Sequence, residues 1–113
     1  MSGDAARLSI RIDLPDGRRF GPGMAALLAA IAEAGSIAGA ARSLQMSYAR
    51  AWRLVDAMNG LFSAPLVETR QGGSARGGAA LTVAGERALV LYREVAATAE
   101  KRAAGSLRAL RDL

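Results

Sequence analysis

Four hydrogen-bonding side chains, Ser47, Tyr48, Arg50 and Arg53, fall in one short run with Ala49, Ala51 and Trp52 between them. A guanidinium is planar and always charged, so it can hold a phosphate, or the O6 and N7 edge of a guanine, through two parallel hydrogen bonds. Serine and tyrosine hydroxyls donate to phosphate oxygens, most favourably beside the positive end of a helix. The surroundings suit an anion: from Ser36 to Val55 there are three arginines, Arg42, Arg50 and Arg53, and no carboxylate. Arg70 and Arg76 flank the tip of a glycine-rich run, Gln71-Gly72-Gly73-Ser74-Ala75-Arg76-Gly77-Gly78. Lacking Cβ atoms, its glycines let the backbone approach phosphates or a minor groove. The chemistry on offer is recognition of a polyanion.

Other chemistries lack their parts. The chain has no Cys and no His, so disulfides, thiolate nucleophiles and the usual zinc, copper and non-haem iron ligand sets cannot be assembled. No metal and no cofactor are expected. Asp56 and Glu68 stand without a nucleophile or a His and read as surface charges rather than an acid and base pair, so no enzyme is expected. The glycine-rich run is not followed by Gly-Lys-Ser or Gly-Lys-Thr and does not join a strand to a helix, so it does not read as a nucleotide cradle.

The side chains need a frame, and 113 residues allow one domain with no separate catalytic unit. Hydrophobic residues make up 51% but aromatics only 4%, and much of the apolar count is alanine, which implies small side chains on closely packed helices. Such a core is modest, and a partner subunit is a natural source of further stability. The net charge is +5, and Lys101 is the sole lysine among fifteen basic residues. That arginine bias fits nucleic-acid binding and equally fits a GC-rich genome. The longest apolar stretch, Met24 to Ala34, carries Glu33 and is too short to span a bilayer, and the start of the chain has Asp4 and no signal-like run. The protein is expected in the cytoplasm, without a membrane partner.

Residues 1 to 7 carry no pattern and are expected to be disordered. Leu8, Ile10, Ile12 and Leu14 alternate with Ser9, Arg11 and Asp13 as in a half-buried strand, Pro15-Asp16-Gly17 turns the chain, and Arg18-Arg19-Phe20 returns. Pro22 opens a helix carrying Met24, Leu27, Leu28 and Ile31, and Gly35 stops it. Ser36 caps a second helix with Ile37, Ala40, Ala41 and Leu44 inward and Arg42 outward. After a turn at Gln45-Met46, Ser47 caps a third helix to about Leu61, with Trp52, Val55, Asn59 and Phe62 on one side. Trp52, sharing that stripe, is expected in the core rather than stacked on a base; for Tyr48, packing and a phosphate contact both stay open. Leu66 to Arg70 and Ala79 to Leu81 form a second hairpin. Thr82 caps a last helix whose Leu89, Tyr92, Ala96, Ala99 and Ala103 repeat at spacings of three and four, continuing through Leu107 and Leu110. Its ~45 Å length exceeds what one small core can cover. Its mixed charges favour a partner helix in water over a membrane surface, so Leu89, Tyr92, Ala96, Ala99 and Ala103 are the expected dimer contacts.

The order of these elements predicts a mostly α fold with small β-hairpins, a winged helix-turn-helix with a long C-terminal dimerisation helix. In such a unit the second helix of the pair enters the major groove and its first residues reach base edges. Expected DNA contacts are Ser36, Arg42, Ser47, Tyr48, Ala49, Arg50, Arg53, Arg70 and Arg76. The run from Gly35 through Ala40-Ala41-Arg42, Leu44 and Ser47-Tyr48, on to Ala51-Trp52 and Met58-Asn59, resembles the DNA-binding domain of the ModE molybdate-responsive regulators. It is similar, more distantly, to the LysR-type winged helix. Leu66-Val67-Glu68, the double-glycine loop and Leu81-Thr82 with Gly85 extend the likeness to roughly residues 8 to 100. One departure is Ser74, at a place where the family often has a basic residue; Arg76 follows two positions later.

The resemblance implies a homodimer on a palindromic operator in double-stranded DNA, with molybdate sensed by separate C-terminal domains. No such domain is expected here: residues 8–82 would be the winged helix-turn-helix and residues 83–113 the dimerisation helix. Neither molybdate nor another oxyanion is then expected to bind this chain directly. The leading expectation is a sequence-specific transcriptional regulator; the alternative is a modulator that pairs with a longer relative and binds DNA weakly or not at all.

Overall fold

A computed structural model describes residues 6–70 and 77–113. In chain order the elements are β1 (Ile12–Asp13), β2 (Arg19–Phe20), α1 (Pro22–Ala34), α2 (Ile37–Ser43), α3 (Tyr48–Asn59), β3 (Val67–Arg70), β4 (Gly78–Leu81) and α4 (Val83–Arg111). The strands form two separate antiparallel hairpins, β1 with β2 and β3 with β4.

The helix boundaries follow local chemistry. Pro22 opens α1, where a missing N–H removes no helical bond. Gly35 closes it in the left-handed conformation at φ 74°, with its N–H on the Ile31 carbonyl at 2.8 Å. Ser36, Ser47 and Thr82 each accept the backbone N–H three residues on, at 2.9, 3.1 and 2.9 Å, which satisfies one of the orphan donors at each helix start. Between α2 and α3 the chain reverses through Gln45 at φ 57°, a left-handed position without glycine.

The core is built from α1, α2 and α3 with the second hairpin closed over one end. Leu27, Leu28, Ile31, Val55, Met58 and Leu66 are its fully buried large side chains, with Ala40 and Ala51 filling close helix contacts. The apolar α1 and α2 are bent by 117° against each other, and among the described residues no single helix is long and apolar enough to cross a membrane.

The expected first strand is cut short. Ile12 pairs with Phe20 and Asp13 with Arg19, and continuing that register would set Ile10 opposite Pro22, which has no N–H and already begins α1. The Ile10 carbonyl instead accepts the Tyr92 hydroxyl at 2.6 Å. The expectation of a disordered start falls mostly on residues 1–5, outside the described ones; Ala6 and Arg7 are exposed and belong to no regular element. Leu8 is held to α4 by its N–H on Glu100 at 3.1 Å.

Only the first half of α4 joins the core. Gly85, Leu89 and Tyr92 are its buried residues, Ala84, Ala88 and Ala96 pack against the core, and no residue beyond Ala96 does. With a rise of ~1.5 Å per residue its 29 residues extend ~43 Å, and the far half projects as an arm.

Candidate nucleic-acid interface

Helix α3 divides into a buried and an exposed side. Ala51, Val55 and Met58 face the core. At ~100° per residue the positions on the opposite half are Ala49, Arg50, Arg53, Asp56 and Ala57, and all five are exposed. Ser47 and Tyr48 are exposed as well, Tyr48 by 55%. Among the described residues neither Arg50 nor Arg53 enters an ion pair. Arg50 therefore sits in the first turn of α3, beside its positive end, and Arg53 follows in the next turn, neither of them ion-paired among the described residues. Asp56, on the next turn, is the nearest carboxylate along the chain.

Helix α2 crosses behind. Ser36 is half-buried, and its oxygen accepts from Gly39, which leaves its hydroxyl proton available to an outside acceptor. Arg42 is exposed in the last turn of α2, where its charge also complements the negative helix end.

The second hairpin is fixed to both helices. The Asn59 side chain, at the end of α3, accepts from the N–H of Leu66 at 2.9 Å and of Val67 at 3.0 Å, and donates to the Val67 carbonyl at 3.0 Å. At the α1–α2 corner the Gly35 carbonyl accepts from Ala79 of β4 at 2.9 Å. Pairing runs from Val67↔Leu81 to Arg70↔Gly78, so exposed Arg70 stands at the outer end of the described wing. Arg76 and the rest of 71–76, expected to form the wing tip, lie outside the described residues.

These attachments create a groove of about 210 Å³ between the start of α2, the start of α3 and the stem of the wing. Ser36, Tyr48 and Arg70, far apart in sequence, all line it. Trp52 and Thr69 line it too; neither was among the expected DNA contacts. Thr69 gave no signal beyond its place beside Arg70 in a strand. Trp52 is only partly buried, packed against the core on one side and meeting Tyr48 edge-on on the other, with ring centroids 6.2 Å apart and planes at 81°.

The expected dimer contacts need revision. Leu89 and Tyr92 belong to the subunit's own core, and Ala96 packs against it. Tyr92 also meets Phe20 edge-on at 5.5 Å. The repeat at spacings of three and four was real, but its first half serves the fold of one chain. Ala99 and Ala103 are half-exposed on the projecting arm. Apolar surface lies open one face round from the expected stripe: Leu91, Val95 and Phe62 are each more than 40% exposed beside a groove of about 350 Å³.

A capped short helix, a tight turn, a capped helix with its basic face open, and a hairpin anchored beside it define a winged helix-turn-helix, the DNA-binding unit of a transcriptional regulator. Residues 24–86 match the bacterial regulatory helix-turn-helix proteins of the lysR family, and the chain belongs to that family. The chain is similar to the molybdenum-pterin-binding protein MopB of Rhodobacter capsulatus, 48% identical over 75% of this chain and 32% of MopB. It is 46% identical to the transcriptional regulator ModE of Haemophilus influenzae over 58% of this chain and 26% of that protein. To the DNA-binding transcriptional dual regulator ModE of Escherichia coli K12 it is 40% identical, over 71% of this chain and 30% of that protein. The chain thus spans about a third or less of the length of these curated relatives. The crystal structure of the CbnR DBD–DNA complex superposes with a TM-score of 0.61 at 28% identity, over 78% of this chain and 95% of that one.

Proposed function

We propose that this chain is a sequence-specific regulator that acts as a homodimer in the cytoplasm, its two α3 helices entering successive major grooves ~34 Å apart on a pseudo-palindromic site. Residues 8–82 are the reading head and residues 83–113 the dimerisation helix. The observation that carries the reading is the open face of α3: Arg50 and Arg53 are exposed and free of ion pairs among the described residues, at the Ser47-capped end. Ala49 leaves room for close approach there, and Arg42, Arg70, Ser36 and Tyr48 surround it with donors to backbone phosphates. The CbnR complex supports DNA binding, because it contains DNA and its fold is shared.

Dimerisation rests on α4. An arm that no core residue covers, bearing half-exposed Ala99, Ala103 and Leu107 and exposed Leu110, is stabilised by burying that side on a second copy.

The test is selection of bound duplexes from a random pool, followed by anisotropy titration with the enriched sequence. Arg50→Ala then lowers affinity roughly 5- to 150-fold and relaxes preference at one base pair, the effect of losing a bidentate contact to guanine. Enrichment of no sequence, or an unchanged profile for both Arg50→Ala and Arg53→Ala, would refute base reading by this face.

A further inference from the structure

We infer that Trp52 is a DNA-contacting residue: its indole N–H donates to a backbone phosphate seated in the groove between the helix-turn-helix and the wing, and its ring holds Tyr48 at the rim. The inference deepens the DNA-binding reading and rests on it.

Trp52 is not placed as a pure core tryptophan would be. Such a residue satisfies its N–H with a buried acceptor. Here no protein group among the described residues accepts it, yet no buried side-chain nitrogen or oxygen is left without a partner. Trp52 is half-buried, so its N–H reaches solvent. The residue lines the groove together with Ser36, Tyr48, Thr69 and Arg70, four side chains that all carry donors. Among the described residues no carboxylate lines that groove, and Arg70 is the one charged side chain there. The volume, about 210 Å³, equals that of about seven waters, enough for one phosphate with part of its hydration. A ring of neutral donors around one guanidinium, without an acid, suits a singly charged phosphodiester.

Tyr48 supplies the second half of the argument. Its ring is mostly in solvent, and its edge-on contact with Trp52, one helical turn away, is its aromatic neighbour. Trp52 thereby acts as a positioning residue for the Tyr48 hydroxyl as well as a contact of its own.

Trp52 is the only tryptophan in the chain, so the protein carries its own probe. Anisotropy of a fluorescein-labelled random duplex first establishes binding by the full chain; a backbone contact needs no particular sequence. Acrylamide quenching of intrinsic tryptophan emission is then measured with and without saturating unlabelled duplex. Shielding of Trp52 by the duplex is expected. Trp52→Phe keeps an aromatic ring without the N–H, and it is expected to weaken random and enriched duplexes by the same factor, roughly tenfold, with its melting temperature near that of the parent. Duplex binding with unchanged quenching, or with full affinity in Trp52→Phe, would overturn the assignment and leave the DNA-binding reading intact. Absence of any duplex binding would overturn both. Should Trp52→Phe fail to fold, the quenching measurement on the unmodified chain still decides.

Discussion

Replacing Asn59 with alanine should damage the molecule far more than a half-exposed polar side chain at a helix end would suggest. Its amide makes three hydrogen bonds, two to the N–H groups of Leu66 and Val67 and one to the Val67 carbonyl. Both residues are buried, at 1% and 3% exposure, so water cannot readily take the place of the lost partner. A typical net contribution is about 1 kcal/mol per bond, and leaving a buried donor unsatisfied costs about 1–3 kcal/mol; the sum is about 2–5 kcal/mol. For a domain of this size each kcal/mol moves the melting temperature by about 4 °C or more, so a fall of roughly 8–20 °C is expected. Circular-dichroism melts at fixed protein concentration provide the measurement. Asn59→Asp keeps an oxygen for the two N–H groups but loses the donor, and should fall between parent and alanine variant. A melting temperature for Asn59→Ala within about 2 °C of the parent would refute the claim that this side chain fastens the wing to α3.

Gly85→Ala should lower the melting temperature by several degrees at least, because an added Cβ would run into the Leu66 backbone, whose carbonyl oxygen, carbon and Cα are all within contact range and cannot rotate away; a melt matching the parent would show that α4 slides freely over that strand. Ser47→Ala removes the cap of α3 and should cost about 1 kcal/mol, with Ser47→Asp restoring stability in urea unfolding. The Asp16 carboxyl is held below its ordinary value of 3.8, chiefly by the hydrogen bond from the Arg18 N–H and also by the Arg18 charge. A lowered folded value means that its contribution is complete above the ordinary carboxylate range and disappears as pH falls through the folded value; carbon-13 titration should show this midpoint below that of free aspartate, and Arg18→Ala should raise it.

What could be read from the sequence was local. Ser36, Ser47 and Thr82 signal helix starts, and Gly35 a helix stop, through bonds that span three or four residues, so residue type at the right spacing is enough. Arg50 and Arg53 could be set off the inner side of α3 because Trp52, Val55, Asn59 and Phe62 read as its apolar stripe. Periodicity, by contrast, shows that a stripe is covered without showing by what: Leu89 and Tyr92 were expected to meet a second subunit and lie instead in the core of their own chain, where Tyr92 meets Phe20 and the Ile10 carbonyl. Asn59 was visible as one position on the inner side of α3 and as part of the ModE-like run; its grip on β3 depends on where Leu66 and Val67 arrive after a turn that spacing does not determine. Trp52 looked like core by its stripe; that it also lines a groove with Thr69 and Arg70 of the wing is a tertiary fact.

At the root of α4, Thr82 holds both the Pro65 and the Leu66 carbonyls, at 2.7 Å from its hydroxyl and 3.0 Å from its N–H, and Gly85 abuts the same backbone. A lever ~43 Å long that turned by ~5° about this root would sweep its far end by ~4 Å, close to the ~3.4 Å between successive base pairs. In a twofold assembly joined through such levers, the stiffness of one short joint sets how faithfully the separation of the two half-sites is measured, and loosening that joint should broaden the spacings tolerated before it alters which bases are preferred.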